Sequence, residues 1–182
     1  MTWNLSSRKS PSIKVQQGDV KASDDPTVVF SALVGSCIAT CLYDPVARVG
    51  GMNHFLLAEC PNENVDSMLL GINQMELLVN QILKLGGRKK NLKAKLFGGN
   101  SMGIGYGNLG QKNADLAVSF LTDENIPIIS ASIAGNSAQR VELHPTTGRV
   151  RARNIVDKVS VVVPEPVKVP VSVDNQGDVD FF

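Results

Sequence analysis

Cys37 and His54 are the two residues of this sequence whose types best suit covalent catalysis. Cys37 follows Gly35 and Ser36 at the start of an apolar run, and His54 follows paired glycines on the next run. A cysteine thiolate attacks carbonyl carbons, and an imidazole held nearby takes the thiol proton. However, three cysteines and two histidines allow several such pairs, and spacing along the chain does not bring two side chains together. A structural cysteine and a hydrogen-bonded histidine are the alternative at this point.

Five short motifs add to this pair of residues. In chain order they cover residues 35–37 (GSC), 41–45 (CLYDP), 50–55 (GGMNHF), 95–99 (KLFGG) and 144–150 (HPTTGRV). In this order and spacing they resemble the chemoreceptor glutamine deamidases of bacterial chemotaxis, the CheD family, over most of the chain. The resemblance implies a cysteine hydrolase, a protein-glutamine glutaminase, which converts selected glutamines of methyl-accepting chemotaxis receptors to glutamate.

The resemblance also implies roles for individual residues. The catalytic cysteine of the family falls on Cys37 and its catalytic histidine on His54. Ser31 takes the place of a threonine whose hydroxyl orients the histidine, so the hydroxyl is kept and the methyl that restricts its rotamer is lost. The residues expected to bind the substrate amide are Gly35, Ser36 and Asn53.

Deamidation of glutamine requires attack on an amide carbonyl, which is a poor electrophile. Cys37 as thiolate would expel ammonia and leave a thioester, which water then hydrolyses. His54 would carry the protons in both steps. The backbone N–H of Cys37 and a neighbouring amide are the expected donors to the negative oxygen of the intermediate. This chemistry implies no cofactor.

Two departures from the family keep a second function open. Ser31 replaces the threonine, and Ser132 stands where the family often carries an acidic residue, which weakens the transfer of substrate specificity. The alternative is a non-catalytic adaptor that binds receptors or a CheC-type phosphatase. Methyl-accepting receptors are thus the first expected partner, and a CheC-type phosphatase is the second.

Metal and nucleotide sites have weaker support. Cys41 could join Cys60 and His144 around zinc, but one Cys-x-x-x-Cys spacing without a second pair is a weak zinc signal. We expect Cys41 and Cys60 to be small buried residues and His144 to be a turn residue. The glycine-rich segment 98–107 lacks the lysine and hydroxyl pair of a phosphate-binding loop. We therefore expect no metal and no nucleotide.

Composition excludes several classes of partner. The chain has 182 residues, with 18 basic against 17 acidic side chains, so it has no net field to attract nucleic acid. Its N-terminus lacks the apolar core of a signal peptide, and no apolar run approaches the roughly 20 residues that span a membrane. An odd number of cysteines favours free thiols in a reducing compartment. These features predict a cytoplasmic protein without membrane insertion.

Hydrophobic patterns predict one α+β domain over residues 12–163. Short β-branched runs predict strands up to residue 59, and apolar positions at helical spacing from Met68 to Leu83 predict a helix capped at Gly86. Later patterns predict a second helix over 109–122 and a hairpin over 140–153. The mixture predicts a mixed sheet or β-sandwich core with two helices packed on it.

The segments outside this domain are expected to pack poorly. Residues 1–11 are polar and aperiodic, which predicts a disordered lead-in. Residues 164–182 are rich in proline and predict an extended tail that ends in Phe181 and Phe182. These aromatic residues either dock on the protein's own surface or form a short recognition motif for a chemotaxis partner.

Overall fold

The structure is a computed structural model that describes residues 12–57, 65–101 and 108–155, with side chains of the first helix from Met68 onward. Its elements in chain order are β1 (Ser12–Lys14), β2 (Val20–Ser23), β3 (Val29–Val34), β4 (Ile38–Asp44), β5 (Val49–Phe55), α1 (Val65–Lys84), a 3₁₀ turn (Lys89–Asn91), β6 (Lys93–Gly98), α2 (Leu109–Asp123), β7 (Ile128–Ile133), β8 (Gln139–His144) and β9 (Arg149–Asn154). The predictions for the lead-in 1–11, for Cys60 and for the tail 164–182, with Phe181 and Phe182, concern residues outside these ranges.

The strands form two mixed sheets. The first sheet has the order β1-β3-β8-β9, and the second has the order β2-β5-β4-β6-β7. One neighbouring pair in each sheet is parallel, β1 with β3 and β6 with β7, and the other pairs are antiparallel. Two sheets with two helices confirm the predicted α+β fold with a β-sandwich core. Within the described ranges, no helix is long and apolar enough to cross a membrane.

Apolar side chains from both sheets fill the space between them. On β3, Phe30 and Ala32 are buried whereas Leu33 is exposed, because alternate residues of a strand point to opposite faces. The second sheet contributes its own alternate residues to this core: Ala39 and Cys41 from β4, Met52 from β5 and Phe97 from β6. The inner faces of β4 and β5 are therefore identified by Ala39, Cys41 and Met52.

The helices cover the outer face of the second sheet. Met75, Leu78 and Ile82 of α1 are completely buried in a core that also contains Leu116 and Leu121 of α2. The predicted apolar stripe of α1 is narrower than expected, since Met68, Leu69 and Leu83 are exposed. With 3.6 residues per turn, Leu69 and Leu83 point away from the line of Met75, Leu78 and Ile82.

The predicted C-terminal cap of α1 is confirmed. Gly86 has a φ of +93°, and its N–H donates to the Leu83 carbonyl, while the Gly87 N–H donates to the Ile82 carbonyl. These two bonds are those of a Schellman motif, which satisfies carbonyls that the helix leaves unpaired at its end. A glycine at position 86 adopts this backbone conformation without strain.

The paired glycines of β5 allow close packing on both faces of the second sheet. A Cβ atom on Gly50 would lie 2.4 Å from the carbonyl oxygen of Pro145, in the turn between β8 and β9. A Cβ atom on Gly51 would lie 2.8 Å from Leu78 of α1. The turn of the first sheet and the helix therefore approach β5 from opposite sides, which fixes the strand that carries His54.

Candidate active site

Residues 35–37 form the connection that leads from β3 in the first sheet to β4 in the second. The three successive carbonyls of this connection all accept hydrogen bonds, from the Asn100 N–H to Gly35 (2.9 Å), from Asn113 Nδ2 to Ser36 (2.9 Å) and from the Gly99 N–H to Cys37 (2.8 Å). Two of the donors, Gly99 and Asn100, directly follow β6, and the third, Asn113, belongs to α2. The backbone before the cysteine is thus held on one side by the second sheet and its helix.

Gly98 makes this close approach possible. Its φ is +106°, a conformation that residues with a Cβ atom rarely adopt, and a Cβ atom there would lie 2.1 Å from the Cys37 carbonyl oxygen. The neighbouring Gly99 has a φ of +62° and donates the bond to that oxygen. The glycine pair of the KLFGG motif therefore helps to position the backbone of Cys37.

The bonded carbonyls determine where the intervening N–H groups point. In a trans peptide unit the carbonyl and the N–H point in opposite directions. Because the carbonyls of Gly35 and Ser36 point toward β6 and α2, the N–H groups of Ser36 and Cys37 point away from them. Among the described residues, neither N–H has a hydrogen-bond acceptor. Two adjacent amide donors are therefore available beside the thiol.

Strand register brings Cys37 and His54 to the same end of the β4–β5 pair in the second sheet. Ala39 pairs with His54, and Ile38 pairs with Phe55. His54 lies two positions from Met52, so it shares the inner face. Cys37 directly precedes β4, outside the paired residues, and lies two positions before Ala39, the partner of His54. Cys37 is partly exposed and His54 is buried.

The hydrogen bonding of His54 defines which ring nitrogen can act as a base. Nδ1 lies 3.1 Å from the carbonyl oxygen of Val15. A carbonyl only accepts, so Nδ1 carries the proton and Nε2 keeps its lone pair. Nε2 is buried, and within the part of the chain that the structure describes it has no hydrogen-bond partner, the Cys37 thiol included.

The surroundings of His54 favour the neutral imidazole. Burial lowers the pKa of His54 below its ordinary value of 6.5, and this effect exceeds the opposing effects of the Val15 hydrogen bond and the negative charge of Asp19. The side chain is therefore unprotonated near neutral pH, as a general base must be.

The structure does not bring the Ser31 hydroxyl to His54. Ser31 lies between Phe30 and Ala32 on β3, both of which face the core, so its side chain faces the other way. Its hydroxyl accepts a hydrogen bond from the Ser12 hydroxyl at 3.1 Å. The backbone of Ser31 does connect to the histidine, because its carbonyl accepts the Val15 N–H at 2.8 Å.

Asn53 is placed on the opposite face of β5 from His54. It is completely buried against α1, where its Nδ2 donates to the Gln74 carbonyl at 3.2 Å. Its Oδ1 accepts the Thr40 N–H at 3.1 Å. The carboxamide is thus occupied in attaching the helix to the sheet, whereas Gly35 and Ser36 lie directly beside Cys37.

Sequence reasoning missed Val15 and Asn113. Val15 contributes a main-chain carbonyl, so its side chain gives no signal of the contact. Asn113 gives one signal: it is a polar residue on the buried face of α2, one helical turn before Leu116 and Ala117. A buried polar side chain must find hydrogen-bond partners, which marks such a position for attention.

Cys41 and His144 lie in positions that suit structural roles. Cys41 is completely buried, and burial raises the pKa of its thiol to about 12. His144 is exposed at the end of β8, and its carbonyl accepts the Gly148 N–H in the turn that follows. The described residues contain no cluster of acidic, cysteine or histidine side chains that could hold a metal. The possible nucleotide loop includes residues 102–107, which lie outside the described ranges.

Ser132 lies two positions along the chain from Ala134, which lines a groove beside the nucleophile connection. Its hydroxyl is exposed and accepts a hydrogen bond from Gln139 Nε2 at 2.8 Å. The groove has a volume of about 300 Å³ and is lined by Gly99, Ser101, Asn108, Gly110, Gln111 and Ala134. Because the Gly99 N–H also binds the Cys37 carbonyl, the groove adjoins the backbone of the nucleophile.

Comparison with known proteins gives consistent matches. The family model described as CheD chemotactic sensory transduction matches residues 58–154. The probable chemoreceptor glutamine deamidase CheD 1 of Ruegeria sp. (strain TM1040) is 46% identical over 150 residues, which is 82% of this chain and 80% of that protein. The probable chemoreceptor glutamine deamidase CheD of Caulobacter sp. (strain K31) is 45% identical over 177 residues, 94% of each chain.

Among solved structures, the hypothetical protein YfiH of Bacillus licheniformis aligns with a TM-score of 0.43 and 14% identity, covering 70% of this chain and 61% of that one. The relatives from Ruegeria and Caulobacter extend over most of their own lengths and most of this chain, so their identity is not confined to one motif. The chain belongs to the CheD family.

Proposed function

We propose that this protein is a cytoplasmic protein-glutamine glutaminase that deamidates glutamines of methyl-accepting chemotaxis receptors, with Cys37 as nucleophile and His54 as general base. One observation carries the proposal: Cys37 directly precedes the β4 residues that pair with Phe55 and His54, and His54 keeps a free Nε2 because Nδ1 is bonded to the Val15 carbonyl. The relatives are named probable chemoreceptor glutamine deamidases, which supports the same activity.

The first half of the reaction forms a thioester. His54 Nε2 takes the thiol proton, and the Cys37 thiolate attacks the side-chain carbonyl carbon of the substrate glutamine. The carbonyl π electrons move to its oxygen, which then accepts hydrogen bonds from the N–H groups of Ser36 and Cys37. When the tetrahedral intermediate collapses, the C–N bond breaks, and the imidazolium gives its proton to the nitrogen, which leaves as ammonia.

The second half regenerates the enzyme. Neutral His54 takes a proton from water as the water oxygen attacks the thioester carbon. The C–S bond then breaks, the sulfur recovers a proton from His54, and the substrate residue leaves as glutamate. Atoms balance as one water consumed and one ammonia released. Gly35 and Ser36 contribute their small size, because a receptor side chain has to reach the thiol past them.

The orientation of His54 rests on Val15 in this mechanism. A base requires a fixed tautomer as well as a free lone pair, and a hydrogen-bond acceptor at the other ring nitrogen supplies it. The Ser31 carbonyl holds the Val15 N–H, and the Val15 carbonyl holds Nδ1. The role that the resemblance implies for a hydroxyl at position 31 is thus met by two backbone groups.

The glutamate product would account for a role of the protein in chemotactic signalling. Conversion of glutamine to glutamate adds a negative charge to the receptor and creates a carboxylate that can be methylated. Receptors present the segments that carry such glutamines on the cytoplasmic side, so the reaction is proposed to occur in the cytoplasm. A CheC-type phosphatase is proposed as a second partner, and the C-terminal residues 177–182 are proposed as a motif that binds either this phosphatase or a receptor.

The decisive experiment incubates the protein with the cytoplasmic domain of a chemotaxis receptor and follows glutamine-to-glutamate conversion by peptide mass spectrometry. Conversion by the wild-type protein, with none by Cys37→Ala or His54→Gln, supports the proposal. A wild-type protein that binds the receptor domain without converting any glutamine would instead support the adaptor function. The Cys41→Ala variant is the control for removal of a thiol that faces the core.

A further inference from the structure

Asn113 bridges the chain segment before Cys37 and the chain segment after His54. It is the fifth residue of α2 and is completely buried. Its Nδ2 donates to the Ser36 carbonyl at 2.9 Å, and its Oδ1 accepts the Leu57 N–H at 2.7 Å. Both ends of one carboxamide are therefore bonded to backbone next to the proposed catalytic pair.

The register between β4 and β5 shows that this bridge stands in place of one pair of main-chain hydrogen-bonding groups. The ladder pairs Thr40 with Asn53 and then Ile38 with Phe55, where it ends. Two residues further on, the next rung would join Ser36 and Leu57. The carboxamide of Asn113 lies between the Leu57 N–H and the Ser36 carbonyl, which would otherwise bind each other directly.

A carboxamide can occupy such a position because it has the same groups as a peptide unit, one carbonyl acceptor and N–H donors. The inserted group continues the ladder while keeping the two chain segments apart. The helix thereby sets the distance between the strand ends at the point where the cysteine enters β4.

The bridge also sets the orientation of the Ser36–Cys37 peptide unit. The Ser36 carbonyl and the Cys37 N–H belong to this unit and point in opposite directions. With the carbonyl bound to Asn113, the N–H points away from α2, and no acceptor among the described residues occupies it. This N–H is one of the two donors available to a negative oxygen.

We propose that Asn113 is a positioning residue for deamidation, which holds the Cys37 N–H toward the oxygen of the tetrahedral intermediate. The proposal rests on the proposed function, and it predicts an effect on the transition state rather than on substrate binding. Asn113 itself touches neither substrate nor thiol in this role.

Two substitutions separate the two bonds of the bridge. In Asn113→Asp, the carboxylate still accepts the Leu57 N–H but cannot donate to the Ser36 carbonyl. In Asn113→Leu, both bonds are lost while the branching and the number of heavy atoms of the side chain are kept. Near-ultraviolet circular dichroism and Tm identify the temperature range in which each variant is folded, and all rates are measured there.

We expect kcat for receptor deamidation to fall about 10²-fold in both variants, with KM within about threefold of wild type, since loss of one donor to the oxyanion has this effect. The rate of Cys37 alkylation by iodoacetamide is the second measurement. Alkylation displaces iodide and forms no oxyanion, so we expect its rate to stay within about threefold of wild type.

Asp44→Asn is the control for loss of stability alone. Asp44 is buried at the far end of β4 from Cys37, where it accepts hydrogen bonds from backbone and from Asn91. This variant should lower Tm while keeping kcat. An unchanged kcat in Asn113→Asp, or an equal fall in kcat in Asp44→Asn, would overturn the positioning role while the proposed function stands. A wild-type protein that deamidates nothing would overturn both.

Discussion

The carbonyl oxygen of Val15 lies 3.1 Å from Nδ1 of His54. Val15 directly follows β1 of the first sheet, and His54 is on β5 of the second. The bond therefore connects the two layers at the proposed base and determines which ring nitrogen is free. Because a main-chain carbonyl orients the imidazole, no single side chain should be essential for that orientation.

Ser31→Ala should keep most of the deamidase activity, with kcat within about threefold of wild type, because the hydroxyl faces away from His54 and its loss leaves the Val15 carbonyl in place. The measurement is kcat on a receptor cytoplasmic domain. Ser31→Thr is the matched variant that restores the hydroxyl together with a methyl. A fall of about 10²-fold in Ser31→Ala that Ser31→Thr reverses would contradict the backbone assignment and support a role for the hydroxyl.

The pH dependence of kcat/KM should report the protonation of His54. Burial lowers the pKa of His54 below 6.5. The base therefore stays neutral at pH values at which an ordinary histidine is already protonated, and activity should persist there. As pH falls through this lowered pKa, the rate should decrease tenfold per pH unit. The measurement is a profile of kcat/KM against pH with a folded-state control by circular dichroism. A midpoint above 6.5 for the acid limb would show that the charged form of His54 is favoured instead.

Local sequence patterns determined much of the fold. The helix α1 ends where Gly86 allows a positive φ, and the second helix and the β8–β9 hairpin occur close to the predicted positions. Each of these features depends on residues within a few positions of one another. Helical periodicity, a capping glycine and a turn rich in proline and glycine are therefore readable from one sequence.

The contacts that define the candidate site are not local. The bond from His54 to Val15 joins residues 39 positions apart, and the bond from Asn113 to Ser36 joins residues 77 positions apart. Both depend on strand order and on the packing of α2, which hydrophobic periodicity does not specify. The resemblance to a family could point to Cys37 and His54, but side-chain direction required the strand register, which turns Ser31 and Asn53 away from the inner face.

The two described cysteines should differ in reactivity. Iodoacetamide should alkylate the partly exposed Cys37 first near neutral pH, whereas Cys41 is buried and its thiol has a pKa of about 12. Cys37→Ala should abolish deamidation without unfolding the protein. Cys41→Ala should retain activity and lose about 1 kcal/mol of stability, because it removes one buried heavy atom. Peptide mapping of alkylated protein is the measurement, and equal labelling of both cysteines in the folded protein would contradict it.

Asp44 should make a pH-dependent contribution to stability. Burial alone would raise the pKa of its carboxyl, but the backbone N–H groups of Ala47, Arg88 and Val46 and the side chain of Asn91 outweigh burial and lower it. The stabilisation is therefore complete above the unfolded-state value of 3.8 and is lost as pH falls through the lower folded-state pKa.

Asp44→Asn should thus reduce the free energy of unfolding by about 2 kcal/mol at pH 7, and the difference from wild type should shrink below pH 4. Urea unfolding of both proteins at several pH values measures this difference. Protonation of His54 also destabilises the fold in acid, but it affects both proteins equally and cancels. A difference that grows as pH falls would contradict the assigned sign.

Gly98→Ala tests whether the position of the Cys37 carbonyl matters for catalysis. Two effects combine at this position: a φ of +106°, and a Cβ atom that would lie 2.1 Å from the Cys37 carbonyl oxygen. Gly86 has a φ of +93°, and nothing lies within 4 Å of a Cβ atom built there, so Gly86→Ala introduces the backbone strain without the contact. Each substitution should cost about 1–2 kcal/mol through strain, measured by urea unfolding.

Only Gly98→Ala should also displace the cysteine, since its carbonyl must move away. We therefore expect kcat to fall at least about 10²-fold in Gly98→Ala, in folded protein, and to stay within about threefold in Gly86→Ala. Equal kcat values in the two variants would show that the position of the Cys37 backbone does not limit deamidation.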